Sequence, residues 1–354
     1  MREDKRKEEK RTVLVVFGGC STEYDVSLQS ASAVIRAIDR TKYRVLTMGI
    51  TRKGEWYLYE GETEGIENNT WQTGKAVPAW LMPDREIHGI AVKRQTGMEF
   101  CRVDVVFPVL HGKNGEDGTL QGLCELAGID CVGPDMLGSA ICMNKELAHH
   151  LVEDAGIRVP KAVVLQKDET KDQIAGKLAG LKYPVFVKPV RAGSSFGISK
   201  VNSSVFLEDA IRLAFEHDRE VIIEENIDGF EVGCAIMGNR ELIVGRVDEI
   251  ELADGFFDYT EKYTLKTSQI HMPARISQET EERIKWTGMK IYRVLGLKDY
   301  SRVDMFLTPD GEIVFNEVNT IPGFTSHSRF PSMMKGIGYG FEQIVDHLIR
   351  LAMK

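Results

Sequence analysis

The sequence predicts an α/β fold that opens with a doubly wound, Rossmann-like unit, and three observations carry that reading. First, residues 12–17 form an unbroken apolar run that ends at Gly18-Gly19, and a helical pattern follows over 30–38. Strand, glycine loop and helix are how a doubly wound unit begins. Second, residues 103–110 repeat the pattern: a buried strand, a polar loop from His111 to Gly118, and a helix over 119–127 stopped by Gly128. Third, beyond Asp228-Gly229 strands take over, and a chain of 354 residues has room for two or three domains.

Between these landmarks the elements follow in order. Region 54–100 holds Trp56, Trp71 and Trp80 but no regular period, and it receives no assignment. The chain changes character at 135–143, where a boundary is placed. Asn144 is a helix cap for the segment carrying Leu147, Leu151, Val152 and Ala155, with Gly156 as its stop. Strands are expected at 184–188, 198–201 and 221–224. Between them Leu207, Ala210, Ile211, Ala214 and Phe215 form one helix stripe. Strands follow at 231–237 and 241–250, then a long loop over 252–272. A helix over 277–295 buries Ile284, Ile291, Tyr292 and Leu295. A hairpin, a Gly- and Ser-rich loop over 320–332 and an amphipathic helix over 341–352 close the chain.

Composition narrows the function classes. Hydrophobic residues make up 43% and charged residues 28%, enough for a full core, and the net charge of −8 argues against nucleic acid or anionic membrane as a partner. The six cysteines form no C-x-x-C pair and lack histidines at zinc spacing, so reduced buried thiols are expected. The apolar run after the charged residues 1–11 is too short for a signal-peptide core, and nothing reaches membrane-spanning length. A cytoplasmic protein is expected.

The most telling chemistry lies in the hairpin 301–319. If Thr308 pairs with Gly311 across a type I turn, Arg302 falls opposite Glu317 and Asp304 opposite Phe315. Side chains alternate along strands, so Arg302, Asp304, Glu317 and Asn319 share one face. Such hard oxygen donors suit Mg²⁺ bound together with phosphates; a salt-bridged exposed face is the plain alternative. Lys188 precedes the small loop 189–197, where backbone N–H groups and hydroxyls can approach phosphate; a simple turn between strands fits equally. Glu224, Glu225 and Glu231 follow a strand end and offer acceptors to a ribose or an amine, or form a solvated acidic turn. Asp258, Lys262 and Tyr263 sit in the long loop, which has the length of a lid. His111 stands at a strand's C-terminal end, where open α/β sheets bind ligands, though a structural loop histidine is the commoner case. Ser326-His327-Ser328-Arg329 reads as a loop closing on a substrate carboxylate, onto which Arg329 could fork, rather than as a nucleophilic serine.

These pieces stand together and in one order. The chain resembles the D-alanine–D-alanine ligase family of ATP-grasp enzymes over about residues 12–352. The likeness lies in Gly18-Gly19 with Val26-Ser27-Leu28, in HGKNGEDGTLQG from His111, in VKPVRAGSSFG from Val187, in Asp258 with Lys262-Tyr263, in Arg302 with Asp304, and in NEVNTIPGFTSHS from Asn316. The resemblance implies an ATP-grasp fold of three α/β domains, divided as 12–138, 139–227 and 228–354. It implies ATP held by Lys145, Lys188, Ser194, Ser195, Glu224, Glu225, Ile227, Glu231, Phe257, Lys262, Asn316 and Glu317. Two Mg²⁺ ions, replaceable by Mn²⁺, would sit on Asp304, Glu317 and Asn319. D-alanine would be activated as an acyl phosphate and attacked by a second D-amino acid. Arg302 and the N–H of Gly323 would stabilise the oxyanion, and Asp25, Ser194 and Tyr263 would hold the lid shut. His111 would lie beside the first substrate, Ser328 and Arg329 near the second. The family usually has Glu where this chain has Asp25, one methylene shorter. Stretches such as GRVDEIEL from Gly245 and HSRFPSMMKGIG from His327 resemble the D-alanine–D-serine ligases of vancomycin resistance, a branch of the family. D-serine is therefore the expected second substrate, with D-alanine as the alternative and a non-catalytic ATP-binding protein as the remote one. The family also implies a homodimer.

Overall fold

The computed structural model describes residues 10–193, 196–252 and 268–353. Its strands form three sheets. The N-terminal sheet starts from β1 (Arg11–Gly18), which pairs in parallel with β2 (Tyr43–Ile50) on one side and β7 (Val105–Val109) on the other. All of β7 and nearly all of β1 is buried, because the sheet is covered on both faces. The helix α1 (Tyr24–Ala37) begins six residues before the helix expected from the sequence. Its first turn looks polar but is interior: the Ser27 hydroxyl donates to the Val109 carbonyl and accepts the Gly18 N–H at 2.8 Å.

The unassigned region 54–100 extends the same sheet outward. It contributes β3 (Trp56–Tyr59), β4 (Ala76–Leu81) and β5 (Gly89–Arg94), ending in the edge strand β6 (Gly97–Arg102), all antiparallel. Trp71 anchors it from a loop, fully buried and edge-on to Phe17 at 5.1 Å. β6 exposes nearly every residue, which erases the alternation that would have marked it.

A small central sheet holds β9 (Ala162–Gln166), β10 (Val185–Pro189), β11 (Ser199–Val201) and β12 (Glu220–Glu225) in the order β11-β10-β12-β9. Helix α7 (Leu207–Phe215) covers it with the predicted stripe, of which Leu207, Ala210 and Ala214 are buried. The C-terminal sheet is built on β13 (Phe230–Gly238), β15 (Asp248–Leu252), β16 (Ser268–His271), β17 (Tyr300–Leu307) and β18 (Ile313–Asn319). Helix α8 (Gln278–Val294) packs on one face, where Ile284, Ile291 and Tyr292 are buried as expected.

Two placements depart from the sequence division. Helices α4 (Met136–Met143) and α5 (Lys145–Asp154), assigned to the central unit, pack on the C-terminal sheet, where Cys142, Ala148 and Val152 join its core. The segment expected as loop up to 332 turns into helix α9 (Arg329–Lys335). With α10 (Phe341–Ala352), it packs Phe330, Met333, Leu348 and Ile349 against Val13, Phe107, Ala235 and Tyr300. The N- and C-terminal sheets thus share one continuous core, while the central sheet keeps its own.

Candidate active site

Two clefts meet at the hairpin β17–β18. One, of about 580 Å³, lies between the N-terminal and C-terminal sheets and is lined by Glu23, His111, Arg302, Asn319, Gly323 and Ser328 among others. The second, of about 520 Å³, lies between the central and C-terminal sheets and is lined by Lys188, Glu224, Glu225, Ile227, Glu231 and Asn316. Lys145, Ala192, Gly193 and Glu317 line both.

The hairpin register differs from the expected one. The turn hydrogen bond from Gly311 N to Thr308 O is present at 2.9 Å, but the pairs are Arg302–Asn319 and Asp304–Glu317. A bulge after Asp304 shifts the pairing. Residues opposite one another in an antiparallel pair share a face, so the four side chains still point to one side. Arg302 forks onto Asp304 with bonds of 2.8 and 2.7 Å, and the Asn319 amide donates to the same carboxylate at 2.8 Å. Among the described residues no three His, Cys, Asp or Glu side chains cluster as a closed metal site. Two carboxylates and an amide are nonetheless the donor set for Mg²⁺, which keeps several waters and binds substrate phosphates.

In the second cleft, strand pairing places Lys188 (β10) and Glu224 (β12) on neighbouring strands, and they form an ion pair at 2.6 Å. Burial pushes the Glu224 carboxyl up, but Lys188 and then His149 outweigh it and hold the group below the ordinary carboxylate range. Lys145 opens α5 behind its cap Asn144, whose side chain accepts the Leu147 N–H as the sequence suggests. Its ammonium donates to the Ala192 carbonyl at 2.7 Å, in the loop that follows Lys188. Glu225 accepts the Lys161 N–H. Ser194, Ser195, Phe257, Asp258, Lys262 and Tyr263 lie outside the described residues.

On the other side, three of the expected residues have specific partners in the structure. Asp25 lines the rim of the first cleft, with its side chain 69% exposed and tied to Arg52 at 2.8 Å. Glu23, only 7% exposed and at the N-terminal end of the same helix, is a buried acidic group of that cleft. A Cβ on Gly112 would stand 2.8 Å from its carboxylate and one on Gly193 3.4 Å, so the glycines of two loops make room for it. A helix turn of about 100° per residue puts positions 23 and 25 on different sides. Arg329 is no free fork either. It grips Asp248 with two bonds of 2.7 and 2.8 Å, reaches Glu231 at 2.9 Å, and approaches Asp304 at 3.4 Å, with its side chain only 8% exposed. Glu231, expected at a ribose, lines the second cleft and pairs with Arg329. Ser328, at the start of α9, accepts the Thr325 N–H at 3.0 Å, and a Cβ on Gly323 would lie 3.3 Å from its hydroxyl.

His111 is buried, and its Nδ1 lies 3.0 Å from the Ile321 carbonyl while Nε2 lies 3.3 Å from the Ser30 hydroxyl. A carbonyl only accepts, so Nδ1 carries the proton. Burial lowers the His111 pKa, which favours this neutral form. Glu116 accepts the N–H groups of Gly112 at 2.8 Å and Ile321 at 3.0 Å. Burial, then the neighbouring Glu23, push its carboxyl up to about 8. Sequence reasoning gave no role to Ser30, Glu116 or Asp248 and kept Asp25 in preference to the nearby Glu23. Only Glu116, inside the HGKNGEDG stretch, carried a visible signal.

The chain matches the model described as "D-ala D-ala ligase N-terminus" over residues 12–134 and that described as "D-ala D-ala ligase C-terminus" over 151–350. The crystal structure of VanG D-Ala:D-Ser ligase from Enterococcus faecalis is 59% identical, superposes with a TM-score of 0.91, and is covered over 97% of this chain and 100% of that one. The vancomycin/teicoplanin A-type resistance protein VanA of Enterococcus faecium is 45% identical over 97% of this chain and 98% of its own length. A D-alanine–D-alanine ligase of Thermoanaerobacter pseudethanolicus is 40% identical over 98% and 97%.

Proposed function

This chain belongs to the D-alanine–D-alanine ligase family, whose enzymes form C–N bonds, and we propose that it joins D-alanine to D-serine at the expense of ATP. The observation that carries the reading is the pair of clefts sharing Lys145 and Glu317. A nucleotide in one and an amino acid in the other meet at that junction, where a phosphoryl group can pass between them.

Each residue has a task. Lys188, fixed by Glu224, and Lys145 hold phosphate oxygens by charge. Asp304, Glu317 and Asn319 would hold Mg²⁺, which supplies charge neutralisation at phosphate oxygens. Glu23, buried beside Gly112, meets the first substrate's ammonium. The D-alanine carboxylate oxygen takes the γ-phosphoryl and ADP leaves. The neutral amine of the second substrate then attacks the acyl carbon, a C–N bond forms, the amine gives up its proton, and phosphate departs. Arg302 and the Gly323 N–H face the oxygen on which charge develops.

The preference for D-serine is supported by the 59% identity to a D-Ala:D-Ser ligase and by the buried Arg329–Asp248 pair next to Ser328. A hydroxyl is selected only where a polar group bonds it. The test is competition: protein, ATP and Mg²⁺ with equal D-alanine and D-serine, the dipeptides resolved by mass. D-Ala–D-Ser should dominate. Predominant D-Ala–D-Ala would reject the serine preference, and no dipeptide would reject the ligase.

A further inference from the structure

We infer that Glu116 and Ser30, two residues of the N-terminal unit, are positioning residues that set the place of the Gly323 N–H in the opposite wall of the cleft. The inference rests on the ligase reading above and deepens it.

Gly323 belongs to the segment 320–324, which leaves β18 and crosses to the N-terminal unit. Among the described residues four polar contacts tie this segment to that unit. The Thr320 hydroxyl donates to the Glu116 carbonyl at 3.4 Å, and the Ile321 N–H donates to the Glu116 carboxylate at 3.0 Å. The Ile321 carbonyl accepts from His111 at 3.0 Å, and the Phe324 N–H donates to Ser30 Oγ at 3.3 Å. Both backbone groups of Ile321 are therefore held, and the N–H of the residue after Gly323 is held as well. Gly323 lies between these holds.

The proton order is consistent through the chain of bonds. Phe324 N–H donates to Ser30 Oγ, whose own hydrogen is then free to go to His111 Nε2, while His111 Nδ1–H goes to Ile321 O. Each donor meets an acceptor. Glu116 must be a carboxylate-shaped acceptor at both oxygens, since the second takes the Gly112 N–H at 2.8 Å. A carboxamide there would turn an NH₂ group toward one of the two N–H donors. The loop bearing Gly112, next to Glu23, and the loop bearing Gly323 are thus registered against each other by one side chain. Misplacing a reacting or stabilising group by about 1 Å costs on the order of 100-fold in rate.

The experiment separates the two half-reactions. With D-alanine and ATP alone, positional isotope exchange in the γ-phosphate reports acyl phosphate formation; dipeptide release reports the step that needs the Gly323 N–H. Glu116→Gln should keep exchange and the KM for ATP within about threefold and lower the kcat for dipeptide about 100-fold. Ser30→Ala should lower it about tenfold in the same selective way, the equivalent of one lost hydrogen bond. A dipeptide phosphinate, which mimics the tetrahedral intermediate, should bind both variants more weakly, while ADP binds them as it binds the wild type. Equal losses in both half-reactions, or an unchanged dipeptide kcat, overturn the assignment. Wild-type protein run alongside tests the ligase reading separately: no dipeptide from it overturns both.

Discussion

The two clefts are built by different means. The first cleft, the proposed substrate site, is walled by the N- and C-terminal sheets, which share a hydrophobic core and are joined by the buried hydrogen-bond network of His111, Ser30, Glu116 and Ile321. The second cleft, the proposed nucleotide site, has one wall on the small central sheet, whose core is separate, and its polar lining includes the charge pair Lys188–Glu224. One cleft lies over a core continuous between its two walls and is crossed by hydrogen bonds to backbone; the other borders a unit with a core of its own. On the proposed function, the site for two small molecules lies where the core is continuous and the site that admits and releases a nucleotide lies where it is not.

Substitutions can break this contrast. The largest effect is expected from Lys188→Met, which leaves Glu224, 3% exposed, without its cation. Breaking a buried pair from one side costs about 3–5 kcal/mol. The loss should stay local: amide exchange should accelerate over 162–225 and remain unchanged in β1 and β7. Arg302→Lys comes next. It keeps a positive charge near Asp304 but loses the fork, and the dipeptide kcat should fall roughly 10²–10³-fold with little change in melting temperature.

The two buried carboxylates should respond to pH in opposite directions. Glu224 is held below the ordinary carboxylate value, so its contribution to stability is present above the ordinary pKa and is lost as pH falls through the lowered one. Glu116 is held up, to about 8, so its contribution is full below the ordinary pKa and is lost as pH rises toward 8. Melting temperatures from pH 3 to 9 should show that Glu224→Gln flattens the acid limb and Glu116→Gln the alkaline one. Parallel shifts in both variants would mean that the two sides share one environment. The smallest effect belongs to Asp25→Asn. An exposed pair with Arg52 contributes at most about 1 kcal/mol, so stability and turnover should barely change, whereas Glu23→Gln should lower turnover.

The two sides also differed in how they could be read from the sequence. Lys188, Glu224 and the shared face of Arg302, Asp304, Glu317 and Asn319 follow from strand period and local charge, and the face survived a wrong register because the bulge preserved its side. The clamp did not show. Ser30 lies in a helix among small residues, and Ile321 takes part only through its backbone, 210 residues away from His111. Period and propensity carry no record of such pairs. The burial of Glu23 was hidden for a related reason: the motif points to Asp25, the acidic residue nearest Val26-Ser27-Leu28, and only the early start of α1 at Tyr24 makes Glu23 the more buried of the two. The region 54–100 was opaque because β6 is an exposed edge and Trp71 anchors from a loop.

Hydrogen exchange with the ligands added singly tests the division between the sides most directly. A non-hydrolysable ATP analogue alone should protect amides in 185–189 and 220–225 and leave 111–118 and 320–324 unchanged. A dipeptide phosphinate should do the reverse, adding protection at 111–118 and 320–324. Equal protection of all four segments by the nucleotide analogue alone would contradict the account, because it would make the two clefts one cooperative unit.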